Sequence, residues 1–101
     1  MSKIRDARAI SNLLGNSAAH YALYGEEQRE IGVYTEQADD LAKERSWSQI
    51  DRRMIKDWAI RRAQSEIRRR MPLLGIDERE EEHYLKKAGE FIDNFIGLKL
   101  G

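Results

Sequence analysis

The sequence predicts an all-α fold, a small bundle of about four amphipathic helices intertwined with further copies in a homo-oligomer. Three observations predict it. Apolar residues recur at helical spacing in four segments, and no run of alternating β-branched residues suggests a strand. Proline occurs once, at Pro72, and PLLG at 72–75 is the only stretch of linker composition. One helical segment also moves its apolar residues from one side to the other partway along, which a single flat neighbour cannot cover.

In residues 3–24, Ile4, Ala7, Ile10, Leu13, Leu14, Ala18, Tyr21 and Tyr24 fall on one half of a helical wheel. Gly15 lies near the polar edge of that arc, as an interior glycine or as a break, and Gly25 is placed to cap the C-terminus. Ile31, Tyr34, Ala38, Leu41 and Ala42 make a second, narrower stripe over 26–45. Ser46 followed by Gln49 is a capping-box pattern, so a third helix is expected over 46–71, ended by Pro72. Asp77 followed by Glu80 repeats the pattern for a fourth helix over 77–97. There Tyr84, Leu85, Ala88, Phe91, Ile92, Phe95 and Ile96 form the strongest stripe in the chain, and Gly97 is expected to close it.

The third helix raises the functional question. With Trp47 as the zero of the wheel, Ile50, Met54 and Trp58 share its side and Arg52, Arg53 and Lys56 lie opposite. From residue 59 the apolar set becomes Ala59, Ile60, Ala63, Ile67 and Met71 on the other face, while Arg61, Arg62, Arg68 and Arg69 occupy the side of the tryptophans. No glycine or proline lies near Trp58 to break the helix. The expectation is a continuous helix that packs on its own subunit at one end and on a second subunit at the other.

A chain of 101 residues is expected to form one domain over 1–101, large enough to hold a core without disulfides or metals. The absence of cysteine removes disulfides, thiolate metal sites and cysteine nucleophiles. No apolar block long enough for a membrane span occurs, and charges are interspersed through MSKIRDARAISNLL where a secretory signal needs an apolar run. A soluble, cytoplasmic protein with no membrane partner is expected. Formal net charge is zero, but its distribution is acid, base, acid. Residues 26–44 carry seven acids against Arg29 and Lys43, residues 52–70 carry eight Arg or Lys against Asp57 and Glu66, and residues 77–94 carry seven acids against three bases.

These features favour a non-enzymatic structural, adaptor or regulatory protein that acts through homo-oligomerisation and protein–protein contacts. Its partners are expected to be further copies of itself and other proteins. Trp47, Met54, Trp58, Ile60, Ala63 and Ile67 are the candidate subunit contacts, with Arg61, Arg62, Arg68 and Arg69 meeting acids of the neighbouring chain. The alternative is a nucleic-acid-binding protein in which Arg52, Arg53 and Lys56 on the Arg-rich helix 52–70 meet phosphates. A helix-turn-helix is short of its turn, since only KERS at 43–46 is available to supply it.

No metal or cofactor is expected. Glu80 and His83 have the E-x-x-H spacing of di-iron carboxylate bundles, but no second copy of the motif occurs. The pairs Glu27/Glu30 and Glu36/Asp39 resemble the paired acidic motifs with which all-α nucleotide pyrophosphohydrolases hold magnesium. Those enzymes place the pairs on separate helices, whereas here both fall on one. His20 and His83 are the only histidines, Ser17 has no recognisable elbow or oxyanion motif, and there is no glycine-rich phosphate loop.

Overall fold

Alanine, serine and glycine keep the first helix thin on most of its circumference, and three other helices use that thinness to close around it. The computed structural model describes residues 2–25 and 29–101. Helix α1 (Lys3–Tyr24) is followed by α2 (Arg29–Ala42), α3 (Gln49–Arg70) and α4 (Glu81–Phe95). Short 3-10 turns at Pro72–Leu74 and Glu78–Glu80 join α3 to α4, and a wide π-helical turn, Ile96–Leu100, follows α4. Four α-helices and no strand occur among the described residues, so the fold is the expected all-α bundle. Of the expected helix over 26–45, residues 26–28 lie outside the described residues.

α1 packs against α2, α3 and α4, with α3 as its broadest partner. Its buried residues include Ala7, Ile10, Ser11, Leu14, Gly15, Ser17, Ala18, Ala19 and Ala22, most of them small. Gly15 is an interior glycine rather than a break. A Cβ there would lie 2.6 Å from the Arg62 Cβ and 2.7 Å from the Ala59 carbonyl oxygen, so the two backbones cross where no side chain fits. One turn earlier the Ser11 hydroxyl donates to the Ala7 carbonyl at 2.7 Å and approaches the Ile55 carbonyl at 3.3 Å, bridging the same crossing. Gly25 caps α1 as expected. Its φ of 91° is open to glycine, and its N–H donates to the Tyr21 carbonyl at 2.9 Å.

α3 does not change its buried face. Ile55, Ala59, Ala63 and Ile67 are buried at four-residue spacing, and Met71 continues the row past the helix end. A four-residue step advances about 40° beyond a full turn, so the row winds slowly and stays against α1 and α4 along the helix. The expected switch arose from placing Trp47 on the wheel. Trp47 precedes the helix, buried, with its indole N–H donating to the Ala42 carbonyl at 2.9 Å. The chain is extended at Ser48, and the N-cap lies there, two residues beyond the expected Ser46. Ser48 accepts from the Asp51 N–H at 3.1 Å, and the Asp51 carboxylate accepts from the Ser48 N–H at 3.0 Å, completing the capping box.

The fourth helix also differs at its ends. Asp77 caps the 3-10 turn, accepting from the Arg79 N–H at 2.9 Å, so α4 begins only at Glu81. Gly97 does not close the helix but lies inside the π-helical turn, which carries Leu100 into the core. The Arg52 guanidinium donates to the Trp47 carbonyl at 3.0 Å and to the Leu100 carbonyl at 3.4 Å, joining the approach to α3 with that turn. Asp6, 4% exposed, is neutralised by Arg45 from the α2–α3 connection. The radius of gyration, 13.2 Å, is close to the roughly 13 Å of a close-packed domain of this length.

Candidate protein-interaction surfaces

With its inner row buried, α3 turns a second apolar row outward. Ile50, Met54 and Trp58 follow one another at four-residue spacing, interleaved with Arg53, Asp57 and Arg61 around a shallow depression of about 280 Å³. Ile50 is 79% exposed, whereas Met54 and Trp58 are half-buried against the core. The Arg8 guanidinium of α1 covers the Trp58 indole, 4.6 Å from the ring centroid. The outer face is therefore a ridge of mixed apolar and basic character.

The residues singled out for subunit contact do not share one surface. Met54, Trp58 and Arg61 lie on the ridge. Ile60 faces a separate hollow of about 500 Å³ with Leu85, Lys86 and Gly89 of α4. Trp47, Ala63 and Ile67 are buried within the chain, which corrects their assignment to a surface: α1, α4 and the α2–α3 connection already occupy that space.

The arginines are for the most part satisfied within the chain. Arg68 meets Glu81 at 2.5 Å, which lowers the Glu81 carboxyl below its usual range through the Arg68 hydrogen bonds. Arg62 lies 3.0 Å from the Asn16 side-chain oxygen and 3.7 Å from Glu66. Glu66 also accepts from Arg69 at 2.8 Å and Arg70 at 3.2 Å. Burial alone would raise the Glu66 carboxyl, but hydrogen bonds from Arg69 and Arg70 and the charges of Arg69 and Arg62 outweigh it and hold it low.

Of the candidate phosphate contacts, Arg52 is engaged by backbone carbonyls and Lys56 pairs with Asp93 of α4 at 2.8 Å. Arg53 and Arg61 have no carboxylate within ion-pair distance among the described residues, and both are on the ridge.

A third concavity lies between α2 and α4. It measures about 670 Å³, with Tyr21, Ile31, Phe91, Phe95 and Leu98 presenting apolar surface and Glu36, Asp39, Glu90 and Lys99 among its polar lining. The groove exists because both helices pack on α1 but barely touch each other. Tyr21 and Phe91 stack at 5.2 Å between ring centroids, and Leu98 is 80% exposed. Asp39 is paired with Lys43 at 2.9 Å and lies 3.6 Å from Lys99, whereas Glu36 and Glu90 have no ion pair among the described residues.

Among the described residues no three His, Asp or Glu side chains converge to hold a metal ion. Glu27, one of the acids paired by spacing, lies outside them. His20 lies 5.5 Å from the Tyr24 ring and 6.0 Å from the Tyr34 ring, between centroids. Burial first, and then Arg70, lower its pKa, partly offset by Glu30 and Glu66. No described helix is long and apolar enough to cross a membrane.

No protein-family model matches the chain. No curated protein matches it either, and no solved structure does. The site is accordingly read from its own geometry. Sequence reasoning missed the α2/α4 groove, although Leu98 beyond the fourth stripe and the acids Glu36, Asp39 and Glu90 beside two stripes were visible signals. It also passed over Ile55, which fixes the inner row of α3.

Proposed function

We propose that this protein is a non-enzymatic helical interaction module that assembles with further copies of itself and serves as a structural or adaptor subunit. The observation that carries the reading is the outer ridge of α3. Its inner row is fully used by the bundle, yet Ile50, Met54 and Trp58 form a second row flanked by Arg53 and Arg61. An exposed Ile50 continued by the outer edges of the half-buried Met54 and Trp58, with a charged border, has the composition of a contact surface.

The alternative, phosphate contact through Arg52, Arg53 and Lys56, has less support. Two of those three cations are tied to groups of the same chain, and acids lie beside most of the remaining arginines. Light scattering behind a sizing column tests the reading at moderate salt. The wild type is expected at a defined multiple of 11.8 kDa. Ile50→Glu is expected to lower that mass while leaving the helical circular-dichroism signal unchanged, because Ile50 contributes little to the core. A wild type that stays monomeric up to high micromolar concentration removes the reading.

A further inference from the structure

Resting on that reading, we infer that the α3 ridge of one copy seats in the α2/α4 groove of the next, so that assembly is head-to-tail. The two surfaces share no residue. Within one chain they cannot meet, because the inner row of α3 is held in the core and keeps the ridge outward.

Their chemistry is complementary. The ridge offers three apolar side chains over nine residues, about 12 Å of helix, which is the form in which an amphipathic helix enters a groove. The groove offers an apolar lining of Tyr21, Ile31, Phe91 and Leu98. Arg53 and Arg61 border the ridge, and Glu36 and Glu90 border the groove, all four without an ion pair among the described residues. Asp57, the one acid of the ridge, meets a groove whose lining cation, Lys99, is loosely held at 3.6 Å from Asp39.

Full overlap of two ridges, in either direction, is disfavoured by the same charges. An antiparallel pairing about Asp57 sets Arg53 against Arg61 and Asp57 against Asp57, and a parallel one sets each residue against itself. A contact between two different surfaces is heterologous, so repeated copies close into a ring or extend as a filament.

Two variants separate the possibilities. Ile50→Glu with Arg61→Glu spoils the ridge and leaves the groove intact. Gly32→Trp places an indole on the groove lining and leaves the ridge intact; a Cβ at Gly32 meets nothing within 4 Å, so the side chain starts from open space. Light scattering on each variant alone is expected to give the monomer mass of 11.8 kDa, and an equimolar mixture is expected to give twice that and nothing larger. The mixture restores one ridge and one groove, which a contact between like surfaces does not.

A wild-type oligomer whose two variants stay monomeric on mixing overturns the head-to-tail arrangement while leaving the ridge as an assembly surface. A Gly32→Trp variant that keeps the wild-type mass overturns the groove as the seat and assigns it to another occupant, such as a small molecule or a different protein. A wild type that is itself monomeric overturns this inference together with the reading beneath it. The charge-swapped pair, Arg53→Glu/Arg61→Glu mixed with Glu36→Arg/Glu90→Arg, repeats the test without altering apolar packing; each variant alone is expected to be monomeric, and because mixing restores both ridge-to-groove contacts, recovery of the wild-type mass is the expected result.

Discussion

At the scale of the residue, Gly15 and Gly32 are opposites. The first stands where α1 and α3 cross, with Arg62 and Ala59 inside van der Waals distance of any added methyl group. Gly15→Ala gains helix propensity of about 1 kcal/mol but forces overpacking that costs about 1–3 kcal/mol, so a net loss is expected. Thermal unfolding should show a midpoint lower by several degrees. Gly32→Ala meets open space and is expected to raise the midpoint slightly by the propensity gain alone. Equal behaviour of the two variants would remove the close crossing. The contrast is invisible in the sequence, where both are glycines inside amphipathic segments; what separates them is the partner each faces.

At the scale of the element, the first turn of α3 depends on one carboxylate. Lys3 donates to Asp51 at 2.6 Å, and with the bonds from Ser48 this pushes the Asp51 carboxyl down from 3.8 to about 2. A depressed acid contributes stability above its unfolded pKa and loses it as pH falls through its folded value. Fraying at residues 48–52 is therefore expected between about pH 4 and pH 2. An NMR titration of Asp51 checks this: a midpoint near 2 is expected, and one near 3.8 would show the cap and the Lys3 bond unformed.

How well each element could be read followed from where its signal lay. The bounds of α1 were legible because its stripe and Gly25 agree, and the apolar stripe of α4 was legible from its spacing alone. The start of α3 was not, because Ser46 and Ser48 offer equally good caps and only the burial of Trp47 selects between them. The ridge was half legible: Met54, Trp58 and Arg61 belong to it, but Ala63 and Ile67 look like any exposed small or aliphatic residue until α1 is seen to cover them.

For the molecule as a whole, the helices are not equally secured. Only Ile31, Ala38 and Ala42 of α2 are buried, and α2 lacks the broad contact with α4 that would close the bundle on that side. Amide hydrogen exchange should therefore be faster along α2 than at the buried crossing of α1 with α3, and addition of a seated copy should slow it. Uniform protection across all four helices would contradict this ordering. The crossing itself has a consequence in time. Ser11 and Ile55 are 44 residues apart, and the broadest contact of α1 is with the helix beyond its neighbour in the chain. Bringing them together means closing a loop that contains all of α2. Such a chain should refold more slowly than a bundle of equal length whose broadest contacts join successive helices.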